Sequence, residues 1–179
     1  MKVFPSIIIL AMLTNSQSLF AQWKLGTYSI LFEAKNMGFT VKGGLSGLEF
    51  NLNSKSDSLE DAEISGSVPV KTLNTQNNMR DRHLMEPDYF NAAKFPKMIL
   101  ESNSILKKGE DRFVGNFKLT LKGIPKKIEL PFTFKTTDLG KKAILNGRFR
   151  INRRDFNIGG SSLILSDNID VQIQINLIK

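Results

Sequence analysis

Residues 169–177 set Ile169, Val171, Ile173, Ile175 and Leu177 against Asp170, Gln172, Gln174 and Asn176. This two-residue alternation governs most of the chain, and it constrains the fold more than any other feature. Successive side chains of a strand point to opposite faces, so each such segment has one apolar face to hide and one polar face to wet. The same rhythm places Ile30, Phe32 and Ala34 on one face over residues 28–35. It places Ala62, Ile64, Gly66, Val68 and Val70 together over residues 61–71, then Met98, Leu100 and Ile105. Phe113, Phe117, Leu119 and Leu121 follow, then Ile128, Leu130, Phe132 and Phe134, then Ala143, Leu145, Phe149 and Ile151. Residues 40–53 read as one further strand, with Gly43, Gly44 and Gly47 in its path where a curved sheet bends or bulges.

Turn signals separate these segments at Asn36-Met37-Gly38, at residues 107–110, at Gly123-Ile124-Pro125 and at Asp138-Leu139-Gly140. A longer loop over residues 153–168 includes Gly159-Gly160 and a short apolar strand piece at residues 163–165. No long helical period and no solenoid repeat interrupts the pattern. About eight strands with short connections must bury their apolar faces and protect their edges, and curling the sheet into an antiparallel barrel does both. A two-sheet sandwich is the competing architecture, but sandwiches usually need Greek-key crossings that these meander-like turns do not supply. A barrel of this size is either filled by side chains or holds one small ligand. From periodicity alone the thirteen phenylalanines read as packed core sooner than as ligand wall.

The rhythm breaks over residues 74–102, where Asn77, Asn78, Arg80, Asp81, Arg82, His83, Glu86 and Asp88 gather with Met79, Leu84, Met85, Tyr89, Phe90 and Phe95. This reads as a short helical insertion near residues 76–92. Its first turns end at Glu86, because a residue before proline is pushed out of the α region and Pro87 has no N–H to donate. Asp88 is placed to cap a second short turn, and Phe95-Pro96 ends the excursion and starts a new strand.

Residues 1–21 read as a signal peptide: Lys2 for charge, an apolar run over residues 7–13, and a small residue, Ala21, before the cut at Gln22. Residues 22–179 then form one domain, periplasmic or secreted, with a net charge one unit below the +8 of the whole chain. That excess favours anionic partners, including weak contact with an anionic membrane surface. With no cysteine there is no disulfide and no thiolate metal site.

His83 is the only histidine. A zinc site wants three or four ligands, mainly His or Cys, so neither a metal nor a cofactor is expected. There is no Gly-x-Ser-x-Gly elbow, and a Ser-His-Asp site would have to recruit this same histidine, so no enzyme activity is expected either. Gly43-Gly44-Leu45-Ser46-Gly47 lacks the lysine and spacing of a phosphate loop. The basic pairs Lys107-Lys108 and Lys141-Lys142 belong at one end of a barrel and Lys126-Lys127 and Arg153-Arg154 at the other. Such a split gives no continuous basic face for nucleic acid.

The run over residues 75–90, with Asn78, Arg80-Asp81, His83-Leu84, Asp88 and Phe90, continues into Phe95-Pro96 and Ser102. Gly115, Leu119-Thr120, Gly123 and Lys126 follow, then Arg154-Asp155-Phe156 and Gly159. In these residues the chain resembles the YceI-like family of exported bacterial proteins. The resemblance implies a lipocalin-like barrel that holds a long-chain amphiphile such as a polyisoprenoid. The ligand wall would then comprise Ile30, Phe32, Ile64, Val68, Leu100, Phe117, Leu119, Leu130, Phe132, Leu145, Phe149, Val171, Ile173 and Ile175. Arg80, Asp81, His83, Asp88, Phe90 and Pro96 would be structural, the charged members tying the helical insertion to the strand ends by charge-assisted hydrogen bonds. The alternative is a filled barrel acting through its outer surface as an envelope stress or interaction protein.

Overall fold

The alternating segments become nine antiparallel strands: β1 (Lys24–Asn36), β2 (Phe39–Leu45), β3 (Glu49–Asn53), β4 (Glu63–Pro69), β5 (Lys97–Lys107), β6 (Arg112–Leu121), β7 (Ile124–Thr137), β8 (Lys142–Asn152) and β9 (Leu165–Ile178). Among the described residues one α-helix, α1 (Asn78–Met85), lies between β4 and β5. This computed structural model describes residues 23–54 and 59–179; the expected signal peptide and its cut before Gln22 lie outside them. The strands form a single curled sheet in the order β2-β1-β9-β8-β7-β6-β5-β4-β3, not two facing layers.

Nine strands replace the expected eight because residues 40–53 are not one strand. The chain leaves β1's side after Leu45, turns a corner over residues 46–48, and joins β4's side at Glu49. β2 and β3 are therefore consecutive in the chain but at opposite ends of the ladder order, and the corner brings the two ends of the sheet together. Gly47 supplies the left-handed backbone there, φ +72°. The Tyr28 hydroxyl accepts from both Gly47 N–H (2.7 Å) and Leu48 N–H (3.1 Å). Above the corner Gly44 and Asn74 exchange backbone hydrogen bonds of 2.9 and 3.0 Å, so the segment entering α1 covers the seam.

Several local expectations need correction. The β6–β7 turn is Lys122-Gly123, with φ of +49° and +73°, a two-residue hairpin loop of left-handed backbone that matches the right-handed twist of the flanking strands. Ile124 and Pro125 already belong to β7, where Pro125 faces Thr120 of β6. Proline is tolerated because the β7–β8 ladder begins only at Phe132, which leaves the first half of β7 with a partner on one side. The apolar piece at residues 163–165 is not a separate strand: β9 starts at Leu165, while Leu163 and Ile164 are exposed. β1 starts at Lys24, four residues earlier than the pattern suggested, because a bulge between Leu25 and Tyr28 hides the alternation.

The barrel's closed end carries the 108–111 and 138–141 turns together with the ends of β1 and β9, joined by Phe134 N–H to Asp111 O and Lys179 N–H to Lys141 O, both 2.9 Å. Leu52, Leu59, Ala62, Ile105, Phe113, Ala143 and Leu177 are buried there, and Trp23 stands edge-on to Phe134 at 5.6 Å. The other end carries α1, the β1–β2 hairpin and the loop before β9.

Candidate functional site

Above this packed end the inward faces of all nine strands leave a cavity of about 570 Å³, within the range of pockets that enclose small ligands. Ile30, Phe32, Ile64, Val68, Leu100, Phe117, Leu119, Leu130, Phe132, Leu145, Phe149, Val171, Ile173 and Ile175 all line it. Phe113 stacks on Phe132 at 5.5 Å, and Phe117 meets Phe132 edge-on at 6.4 Å, so a phenyl cluster forms the floor. The wall is apolar because every strand contributes its dry face.

Phenylalanine on so many inward positions does not fill the space, and two glycines show why. Gly43 is the cross-strand partner of Phe32, and a Cβ built on it would stand 2.3 Å from the Phe32 ring. Gly115 is two residues before Phe117 on the same face, and its Cβ would also be 2.3 Å from that ring. Each ring lies down over bare backbone and takes a side chain's place against the sheet. The rings thicken the wall and leave the centre open.

At the open end α1 forms one side of the mouth. Asn77, Met79 and His83 line the cavity and are also exposed. Asn77 caps the helix, its Oδ1 accepting from Arg80 N–H at 3.0 Å, and Glu86 before Pro87 ends it as expected. Arg80 Nε donates to Thr75 Oγ1 (2.8 Å) and Nη2 to Thr75 O (2.9 Å). Asp81 accepts from Thr75 N–H (3.0 Å) and from its hydroxyl. Thr75 is itself buried beside the Gly44–Asn74 bridge, so Arg80 and Asp81 fasten α1 to the seam segment and not to a strand end.

His83 Nε2 lies 3.3 Å from Asp88 Oδ2 with both side chains 61% exposed, an arrangement of little energetic weight. Asp88 caps no second turn. Its carbonyl instead accepts from Gly159 N–H at 2.8 Å, pinning the insertion to the loop before β9. Pro96 O accepts from Val70 N–H at 2.9 Å, and Phe90 lines the cavity.

Arg153 is the main departure from the sequence reading. Expected as half of a surface basic pair, it is 3% exposed and lines the cavity. Nε donates to Ser166 O (3.1 Å), Nη1 to Ile158 O (2.7 Å) and Gly160 O (3.0 Å), and Nη2 to Leu165 O (3.4 Å) while facing Asp167 Oδ1 at 2.7 Å. Every nitrogen is engaged, so Arg153 staples the 153–166 loop and has nothing left to offer a ligand.

Further lining residues share the strand parity already read from the sequence: Ala34, Leu121, Ile151 and Ile169. Others, such as Leu73, Leu84, Tyr89 and Ile158, come from irregular segments with no period to mark them. The shifted ionisable groups lie on the outer surface. The Arg150 guanidinium, hydrogen-bonded across the ladder at 2.8 and 2.9 Å, holds the Asp170 carboxyl below its usual range, and Lys97 does the same for Glu49. Among the described residues no group of three His, Cys, Asp or Glu side chains is placed to hold a metal ion.

Comparison with known proteins agrees with this architecture. A UPF0312 protein of Photorhabdus laumondii is 25% identical over 177 residues, covering 94% of this chain and 92% of that one. The crystal structure of BcnA from Burkholderia cenocepacia superposes with a TM-score of 0.79 at 18% identity, over 86% of this chain and 99% of that one. A Campylobacter jejuni YCEI protein gives 0.71 at 26% identity, over 78% and 85%. A polyisoprenoid binding domain from Saccharophagus degradans, implicated in plant cell wall breakdown, gives 0.71 at 13% identity, over 88% and 97%. The YceI-like domain model matches residues 23–177, nearly every residue of the curled, lipocalin-like sheet, and the chain belongs to the YceI-like family.

Proposed function

We propose that this chain is an exported, non-enzymatic binding protein that holds a polyisoprenoid or another long-chain amphiphile inside its barrel, to carry or sequester it. The observation that carries the reading is the apolar cavity of about 570 Å³, closed at one end by packed side chains and bordered at the other by polar ones. Burial of alkyl surface at about 25 cal/mol per Å² supplies the affinity, offset by the cost of ordering the chain. The polar end of the ligand belongs at the mouth. Among the described residues Arg80 Nη1 makes no hydrogen bond, and Arg80, His83 and Asn77 all line that side. The Saccharophagus degradans domain, with its polyisoprenoid binding, supports the ligand class. The filled-barrel alternative needs an interior without room for an alkyl chain, which the cavity speaks against.

The test is native mass spectrometry and solvent extraction of protein purified from an exporting host. The expected result is a copurifying or exchangeable long-chain amphiphile and a mature chain beginning at Gln22. Repeated absence of any such molecule, with no uptake of added prenyl or fatty-acyl probes, overturns the carrier reading.

A further inference from the structure

Five large apolar side chains stand in water around the mouth of the cavity. Met37 and Phe39 sit on the β1–β2 hairpin, 67% and 76% exposed; Leu163 and Ile164 precede β9, 106% and 55% exposed; Met79 lies on α1, 75% exposed. They are not scattered. Met37 N–H donates to Ile164 O at 2.8 Å, which holds the hairpin and the loop side by side. Asn36 and Val41, on either side of the hairpin tip, line the cavity, as do Leu165, next to Ile164, and Met79 itself. At Val41, Leu165 and Met79 the apolar interior wall therefore reaches the lip beside these exposed side chains. Single exposed apolar residues are ordinary, but a cluster bordering an apolar opening marks an interaction site.

We infer that this rim is a docking surface for a lipid bilayer, through which the cavity exchanges its ligand without passing it through water. The inference rests on the binding function proposed above. Three observations select a bilayer over a protein. The rim borders the cavity, so whatever covers it also faces the contents. It consists of five side chains on three separate elements, far fewer than the roughly 20–30 residues per side of a stable protein interface. Side chains projecting from loop tips enter an acyl boundary readily, and the positive charge of residues 22–179, one unit below the +8 of the whole chain, favours an anionic leaflet. A long-chain amphiphile resides in membranes because each methylene strongly prefers them to water. Desorption into solvent is the slow step that a docked mouth avoids.

The experiment compares wild type with the triple variant Phe39→Ser, Leu163→Ser, Ile164→Ser, all exposed positions whose loss leaves the core intact. Flotation with phosphatidylethanolamine–phosphatidylglycerol vesicles reads docking. Uptake of a fluorescent fatty acid, offered either from those vesicles or from dilute solution, reads loading. The expected result is vesicle affinity lowered by about tenfold in the variant, with slower uptake from vesicles and unchanged final uptake from solution. A wild type that does not float overturns the inference, as does a variant that floats equally well. A variant that loses a wild-type dimer in sedimentation also overturns it, since the rim is then a contact between copies. Wild type that floats in a rim-dependent way but takes up no probe from either source upholds docking and sinks the carrier function.

Discussion

The two ends of the barrel are built from the same alternating strands and hold themselves together differently. At the closed end Leu52, Ala143 and Leu177 are each 1% exposed, and apolar packing does the work. At the open end Phe32, Val171 and Ile173 point inward yet are only partly buried, because they face the cavity. Order there comes from polar staples: Arg153 across its loop, Thr75 with Arg80 and Asp81, and the Tyr28 hydroxyl at the β2–β3 corner. A binding chamber gives up packing energy, and hydrogen bonds from side chains to backbone carbonyls and N–H groups keep its walls in place.

The largest expected effect tests the staples. Arg153→Met leaves several buried carbonyls without a donor and is expected to lower stability in urea unfolding by about 3–5 kcal/mol; a loss below about 1 kcal/mol would show that the open end does not depend on it. Next comes the contrast in packing. Leu52→Ala at the closed end is expected to cost about 2–5 kcal/mol, because it opens a new void. Ile173→Ala, on a wall that already faces space, is expected to cost about 1–2 kcal/mol, since fewer contacts are lost. Equal losses would erase the distinction between the two ends.

Filling the chamber sharpens the comparison from the other side. Val171→Trp is expected to reduce binding of a fluorescent fatty acid at least tenfold while leaving the melting temperature within a few degrees, whereas Ala143→Trp in the packed end is expected to unfold the protein through overpacking. The smallest effect belongs to the outer face. Asp170 has a depressed pKa, so its pairing with Arg150 adds stability above the ordinary carboxylate value of about 4 and loses it as pH falls through the lowered one. Asp170→Asn should therefore flatten the acid limb of a stability–pH curve slightly and leave neutral-pH ligand uptake unchanged.

Wherever the period of two runs uninterrupted, the sequence was enough to place a residue on the inner wall. Ile173 and Phe149 needed only their parity. What parity does not carry is how far a ring projects. Whether Phe32 plugs the interior or lies flat depends on Gly43, which is its neighbour only after β1 and β2 pair in register. Arg153 was misplaced for a related reason: its carbonyl partners lie 5 to 13 residues away in an irregular loop, and no spacing rule brings them together. The corner at residues 46–48 was visible as a glycine cluster, but that it joins the two ends of the sheet follows only from which strands flank it.

The pairing of β1 with β9, residues 24–36 against 165–178, governs the order in which the molecule can be made. β1 meets β2 at once across a short hairpin, but its other edge waits for β9, the last of the nine strands, so a chain that has not reached β9 keeps that edge unsatisfied. A polypeptide of this design leaves its sheet open at β1 and β8 until β9 joins them. Deleting residues 168–179 would strip β1 and β8 each of one of two neighbours and leave nascent and truncated forms alike as substrates for proteolysis.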